Sequence, residues 1–231
     1  MVILVLLTGF TSAAVRPQLT RIVAYSNEKE TPVEVINDGS EAYLVQSWLE
    51  DEQGKDTDLP LVLTPPVMKL EGKKQGKLRL VVITSGIPQD RESVYWLSLQ
   101  EIPPKAQNIN NKLVVAIRSR LKVFVRPEGL TSEGARDAAK QLRWRISQTG
   151  DRRCLEATNP TAYYISFGEL SVRGKGHQAN RPENKHEMVP PKGNWCYMLP
   201  EGTGSYPLNI TWSAVHDWGG AGEELKAVVI P

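Results

Sequence analysis

The chain has 231 residues, 40% of them hydrophobic and 23% charged, with a mean hydropathy of −0.34. That is an ordinary globular composition, long enough for one large core or two of about 100 residues each. Lys and Arg number 28 against 26 Asp and Glu, so a formal net charge of +2 excludes a global field that would draw the protein to nucleic acid. The 16 Pro and 18 Gly are spread along the chain, which suits a loop-rich all-β protein.

The opening "MVILVLLTGFTSAA" is an uncharged apolar run followed by small residues. Ser12 and Ala14 fit the −3 and −1 positions of a signal-peptidase site, which favours residues 1–14 as a signal peptide with Val15 the mature start over the alternative, a buried N-terminal strand. The run is too short to span a bilayer, which takes ~20 residues, and no Lys or Arg precedes it. Nothing downstream reads as a transmembrane segment, so export without stable membrane insertion is expected.

From residue 19 to 127 the apolar positions alternate with period two. "LTRIVAY", "TPVEVIND", "AYLVQSWLE", "LPLVLTPPVMKL", "GKLRLVVI" and "VYWLSLQEI" lead to a final long run, "NKLVVAIRSRLKVFVRP", at 111–127. Seven strands separated by turn signals predict an immunoglobulin-like sandwich over 15–128. Trp48 is expected either between the two sheets or capping an edge. The carboxylates of "EDE" (50–52) read as a soluble hairpin tip, and the basic "GKKQGKLR" (72–79) as solvated hairpin ends.

The final run reads as one strand, far longer than the usual ~5–6 residues. Its odd positions carry Leu113, Val115, Ile117, Leu121, Val123 and Val125, and its even ones Arg118, Arg120, Lys122 and Arg126.

Residues 129–140 break the alternation and read as a linker with a helical turn near 133–140. Strand patterns resume with "LRWRIS", "RRCLEATNP", "AYYISFGELSV", "NWCYMLP", "YPLNITWSAV" and "ELKAVVIP", predicting a second β-sandwich over 141–231 with longer, more polar loops. The two cysteines, Cys154 and Cys196, fall in this half. In an exported protein an even pair favours a disulfide, although two buried free thiols would look the same. Their separation, with no His in ligand spacing, argues against a metal site.

Catalytic equipment is missing from the pattern. His177, His186 and His216 have no metal spacing and no partnered nucleophile, and no G-x-S-x-G elbow, P-loop or dinucleotide fingerprint occurs. The reading is not an enzyme, with no metal and no cofactor. "NIT" (209–211) is a formal glycosylation sequon with no meaning in a bacterium.

Eight segments taken in order carry a resemblance: "TRIVAY" (20–25), "YLVQSWLEDEQG" (43–54), "TPPVMKLEGKK" (64–74), "PQDRESVYWL" (88–97), "EIPPK" (101–105), "AIRSRLKVFVRP" (116–127), "NPTAYYISF" (159–167) and "HDWGG" (216–220). Each is weak alone; together they resemble the PapD-like periplasmic pilus chaperones of the chaperone–usher pathway. The resemblance implies two immunoglobulin-like domains set like a boomerang. It also implies binding of pilus or fimbrial subunits in the periplasm by donor-strand complementation, and delivery to an outer-membrane usher.

It assigns residues as well. Leu113, Val115 and Ile117 match the donor side chains that fill a subunit groove by β-augmentation. Arg21 and Lys122 match the pair that grips the subunit's C-terminal carboxylate. Glu92, Arg126 and Asp217 match an ion network between the domains. Lys122 and Leu113 have opposite strand parity, which twist or a bulge must reconcile. Val125 stands where the family often has Tyr, and "VHDWGG" replaces a more usual Ile-Asn-Asp-aromatic-Gly; neither touches the anchoring pair. The short connection from "EIPPK" to Leu113 resembles the chaperones of rod-forming pili. The alternative is a secreted two-domain β adhesive or structural module, or a pilus subunit. A subunit would carry its donor strand at the N-terminus and lack the Arg21/Lys122 pair.

Overall fold

Alternation sorts each strand into a core face and an outer face. In the computed structural model, which describes residues 14–104 and 115–230, strand β4 (Tyr43–Glu50) buries Val45, Ser47 and Leu49 and turns Leu44, Gln46, Trp48 and Glu50 outward. The other strands of the first half are β1 (Val15–Pro17), β2 (Arg21–Tyr25), β3 (Thr31–Asn37), β5 (Leu61–Thr64), β6 (Val67–Leu70), β7 (Gln75–Val82), β8 (Ser93–Ile102) and β9 (Arg118–Arg126). A four-stranded sheet, β1-β3-β7-β5, packs on a five-stranded one, β2-β9-β8-β4-β6. Val35, Val45, Leu78, Leu80, Leu97 and Val123 fill the space between them.

Three expectations need correcting. The described residues of the first half hold nine strands where seven were expected. β1 is too short to show a period, and "LPLVLTPPVMKL" breaks at Pro65 and Pro66, which cannot donate to a ladder. Its two pieces, β5 and β6, therefore lie in opposite sheets. Among the described residues of the long run, the strand spans Arg118 to Arg126. Its partner β8 ends at Ile102, just before Pro103 and Pro104, and residues 115–117 lead into β9 outside any strand. Trp48 is neither a core aromatic nor an edge cap: it sits on the outer face of the interior strand β4, because the inward parity belongs to Val45, Ser47 and Leu49.

Helix α1 (Ser132–Ala138) is capped by Thr131, whose side chain accepts from the Gly134 N–H. Ala138 and Ala139 at its far end pack into the second core. That core lies between sheet β10-β11-β13 and sheet β12-β14-β15. The strands are β10 (Arg143–Thr149), β11 (Arg152–Asn159), β12 (Phe167–Arg173), β13 (Gly193–Met198), β14 (Leu208–Ala214) and β15 (Leu225–Val229). Leu155, Leu170, Tyr197, Leu208 and Ile210 are its largest fully buried side chains. Cys154 of β11 and Cys196 of β13 sit on neighbouring antiparallel strands and are joined by a disulfide. The fold is all-β, two sandwiches in one chain. Among the described residues no helix is long and apolar enough to cross a membrane. The expected signal-peptide run lies outside the described residues but for Ala14.

Candidate functional site

A cleft of about 410 Å³ opens between the sandwiches, with Arg21 and Phe124 on one wall and Tyr164, Val215 and Trp218 on the other. β2 starts at Arg21 and runs parallel to β9, in a register that sets Arg21 beside Lys122. Odd positions of β9 face the core, so Lys122 projects from the outer face, over the Trp96 ring at 5.5 Å. Arg21 stacks toward Phe124 at 5.9 Å and donates from Nη1 to the Val215 carbonyl at 3.4 Å. Its Nε is buried without a hydrogen-bond partner. No carboxylate lies within 4.0 Å of either cation among the described residues. Burial pushes Lys122 down to about 8, helped by the neighbouring Arg21 charge and opposed by Glu187. Burial also lowers Arg21, against the pull of Asp217. Two under-solvated cations side by side can donate charge-assisted hydrogen bonds to an anion.

Among the described residues the same strand has a free edge. β9 pairs with β8 on one side from Arg118 to Val125, but with β2 on the other only from Lys122 to Arg126. From Arg118 to Leu121 the second edge has no strand partner among the described residues. Just upstream, Val115 is 59% exposed and Ile117 37%. Leu113, the third expected donor, lies outside the described residues. Unpaired backbone beside exposed apolar side chains is a template for another strand.

Below the cleft the walls are tied by ions. Arg126 is 2% exposed; its Nε donates to Glu92 Oε1 at 2.5 Å, and Nη1 and Nη2 donate to the two Asp217 oxygens at 2.7 Å each. Glu92 Oε2 accepts from the Tyr164 N–H at 2.7 Å, so both Glu92 oxygens are used. Burial raises Glu92 although Arg126 pulls it down; Asp217, despite its burial, is held below the usual range by Arg126. Glu92, Arg126 and Asp217 are therefore in one network that joins β8 and β9 to the turn after β14. That turn abuts the start of β2: Gly219 has φ +91°, and a Cβ there would meet Thr20 Oγ1 at 2.2 Å.

Alternation missed a second cluster. Glu50, expected as a soluble tip, instead bridges Arg118 at 2.8 Å and Arg120 at 3.3 Å, with its side chain only 13% exposed. Arg118 lies over Trp48 at 4.7 Å and Arg120 over Trp96 at 4.2 Å. These contacts brace the outer face of β9 just before Lys122. The only available signal was parity, which puts Trp48, Glu50 and Trp96 outward on strands that sequence alone does not make neighbours.

Comparison with known proteins settles the family. Residues 14–131 match the pili and flagellar-assembly chaperones at the PapD N-terminal domain, and residues 137–226 match the PapD C-terminal domain of pili assembly chaperones. The chain belongs to the PapD family of pilus-assembly chaperones. It is similar to the probable fimbrial chaperone LpfB of Escherichia coli O157:H7, 37% identical over 89% of this chain and 84% of that protein. It is also similar to the chaperone protein FocC of Escherichia coli, 34% identical over 91% of this chain and 88% of that one. Among solved structures, one of the Salmonella enterica SafA pilin in complex with the SafB chaperone matches with a TM-score of 0.79 and 26% identity, covering 95% of this chain and 98% of that one. PapD-family proteins are assembly chaperones, a non-enzymatic class. In this member of the family, Arg21 meets Lys122, and Glu92 meets Arg126 and Asp217, while Val115 and Ile117 stand free of the core.

Proposed function

We propose that this chaperone binds pilus or fimbrial subunits in the periplasm, completes their unfinished sheet with the segment carrying Leu113, Val115 and Ile117, and delivers them to an outer-membrane usher. The observation that carries the reading is where the free edge of β9 stops. It runs out at Lys122, where β2 begins with Arg21. A guest strand laid along that edge with its C-terminal carboxylate between the two cations runs parallel to β9. The carboxylate takes charge-assisted hydrogen bonds from both and sets the register of every residue before it, where a slip of one would turn each side chain to the wrong face. Burying each exposed donor side chain adds roughly 1.5–3 kcal/mol before ordering costs.

Glu92, Arg126 and Asp217 have the role of holding the walls at one separation, so that both can touch one subunit. The reading calls for no nucleotide, metal or cofactor. The adhesive-module alternative has no use for an internal donor segment beside an unpaired cation pair. Co-purification from periplasm tests the proposal: a pilin subunit should come along in a one-to-one ratio with wild type and be lost with Lys122→Ala. Absence of any pilin from the wild-type protein would reject it.

A further inference from the structure

One buried carboxylate belongs to neither the ion network nor the cation pair. Glu101, near the end of β8, is 5% exposed. Its Oε2 accepts from the main-chain nitrogen of Val15 at 2.9 Å, which becomes the free α-ammonium once the expected signal peptide is removed, and its Oε1 from the backbone N–H of Ile117 at 3.3 Å. None of the ion pairs among the described residues includes it. A carboxylate withdrawn from water is costly unless its lone pairs are met, and here two main-chain donors from distant segments meet them.

The backbone groups of Ile117 show what the arrangement does. Its carbonyl accepts from the Glu101 N–H at 3.1 Å, as the next rung of an antiparallel ladder would require. Its N–H goes to the Glu101 side chain instead of the Glu101 carbonyl, which takes Gln100 Nε2 at 3.3 Å. The last rung between β8 and the approach to β9 is thus half main chain and half carboxylate. The other carboxylate oxygen reaches β1, which belongs to the opposite sheet. Three segments meet on one side chain, where the donor segment leaves the sandwich.

We infer that Glu101 is the positioning residue of the donor segment, clipping Ile117 to β1 and β8 so that the apolar side chains leave the sandwich at a fixed distance from Arg21 and Lys122. The inference rests on the donor reading above. From Ile117 to Lys122 the distance is set by the β8–β9 ladder at about 3.3 Å per residue. Above Ile117 no strand holds the chain among the described residues, and among them Glu101 is the last fixed point. A segment fixed before binding loses less freedom on binding.

Two variants of the full chain test this. Glu101→Leu keeps the volume and has no acceptor; Glu101→Gln keeps one acceptor oxygen. Amide hydrogen exchange is read by NMR on the free protein, and capture is read with the major pilin of the same pilus, diluted from denaturant into folded chaperone. In wild type the Ile117 amide should exchange about tenfold or more slower than that of Ala116, as one hydrogen bond to a charged group implies. Glu101→Leu should abolish the difference and lower capture per folded molecule by about tenfold, and Glu101→Gln should restore part of both. A purely structural Glu101 would lower the melting temperature and leave capture per folded molecule unchanged, which overturns the inference. Equal exchange at Ile117 and Ala116 in wild type overturns it too, and decides the matter if Glu101→Leu does not fold. If Lys122→Ala captures pilin as wild type does, the anchoring reading fails, while the exchange of Ile117 still reports on the clip.

Discussion

Arg21 and Lys122 sit side by side on parallel strands, and no carboxylate comes within 4.0 Å of either among the described residues. Each has lost water, and each disfavours the charge of the other. On the proposed reading, the free chaperone holds two cations in a state that an incoming anion would relieve.

Removing one of them should separate binding from folding. Lys122→Ala is expected to melt at the wild-type temperature or slightly above, because a repulsion is lost. Its complex with subunit should weaken by ~2–5 kcal/mol, the cost of truncating one partner of a buried charge pair, turning a nanomolar complex micromolar. Thermal melts beside a pilin pull-down check this; a normal melt with normal recovery of pilin rejects the anchor.

The same lysine makes capture depend on pH. Its folded pKa, about 8, lies below the ordinary 10.5. Between those values the unfolded chain holds more protons, so the free protein gains stability as pH rises through that window. A bound carboxylate favours the ammonium and raises the pKa again. Subunit binding near pH 8 should take up protons, and affinity should fall as pH rises further. Calorimetric titrations at pH 8 in two buffers of different ionisation heat read the uptake, which should vanish in Lys122→Ala. Proton release by wild type would contradict the assignment.

Ile117→Asp places a charge where a subunit pocket expects an apolar side chain, with a large desolvation cost. At 37% exposure the position is outside the core, so the variant should give a wild-type circular dichroism spectrum and fail to retain pilin. An unfolded variant would make Ile117 a core residue, and full retention would remove it from the donor set.

Arg126 is held by both walls of the cleft. Arg126→Ala leaves Glu92 buried without its cation, and breaking a buried pair this way costs about 3–5 kcal/mol. Arg126→Lys should recover little, since an ammonium cannot reproduce the two-pronged bond to Asp217. Urea unfolding measures both, and a loss under about 1 kcal/mol would show that the network contributes no more than a surface pair.

Removing the disulfide with Cys154→Ser and Cys196→Ser should destabilise the second sandwich by about 4 kcal/mol, the loop-closure entropy of a separation of 42 residues. Urea unfolding of the double variant, followed by the fluorescence of Trp144 and Trp212 in that core, checks it.

Much of the fold was legible because period-two patterning is a local property. The inward sets Val45, Ser47, Leu49 and Leu121, Val123, Val125 follow from alternation alone. What alternation cannot show is which strand lies beside which. Arg21 and Lys122 meet because β2 and β9 are parallel neighbours, a fact carried only by the family resemblance. The contacts of Glu50, Trp48 and Trp96 escaped notice for the same reason, their partners Arg118, Arg120 and Lys122 being far along the chain. Glu101 was hidden differently: in "EIPPK" it looks like any polar residue at a strand end, and only the arrival of Val15 and Ile117 gives it a task. Arg126 and Phe124 lie on the outward parity of β9 yet are buried, because there the second sandwich takes the place of solvent.

The parallel pairing of β2 with β9 acts as a buffer stop. Any strand that slides along the open edge toward Lys122 runs head-on into Arg21, whose own strand already occupies the rest of that edge. A segment in the middle of a chain would have to leave the edge at this point and turn into the cleft, whereas one that ends there needs no turn. On the anchoring reading proposed above, the site would favour a finished polypeptide over one still attached to more chain. A subunit with residues added after its natural terminus should be refused, however well its groove matches the donor side chains.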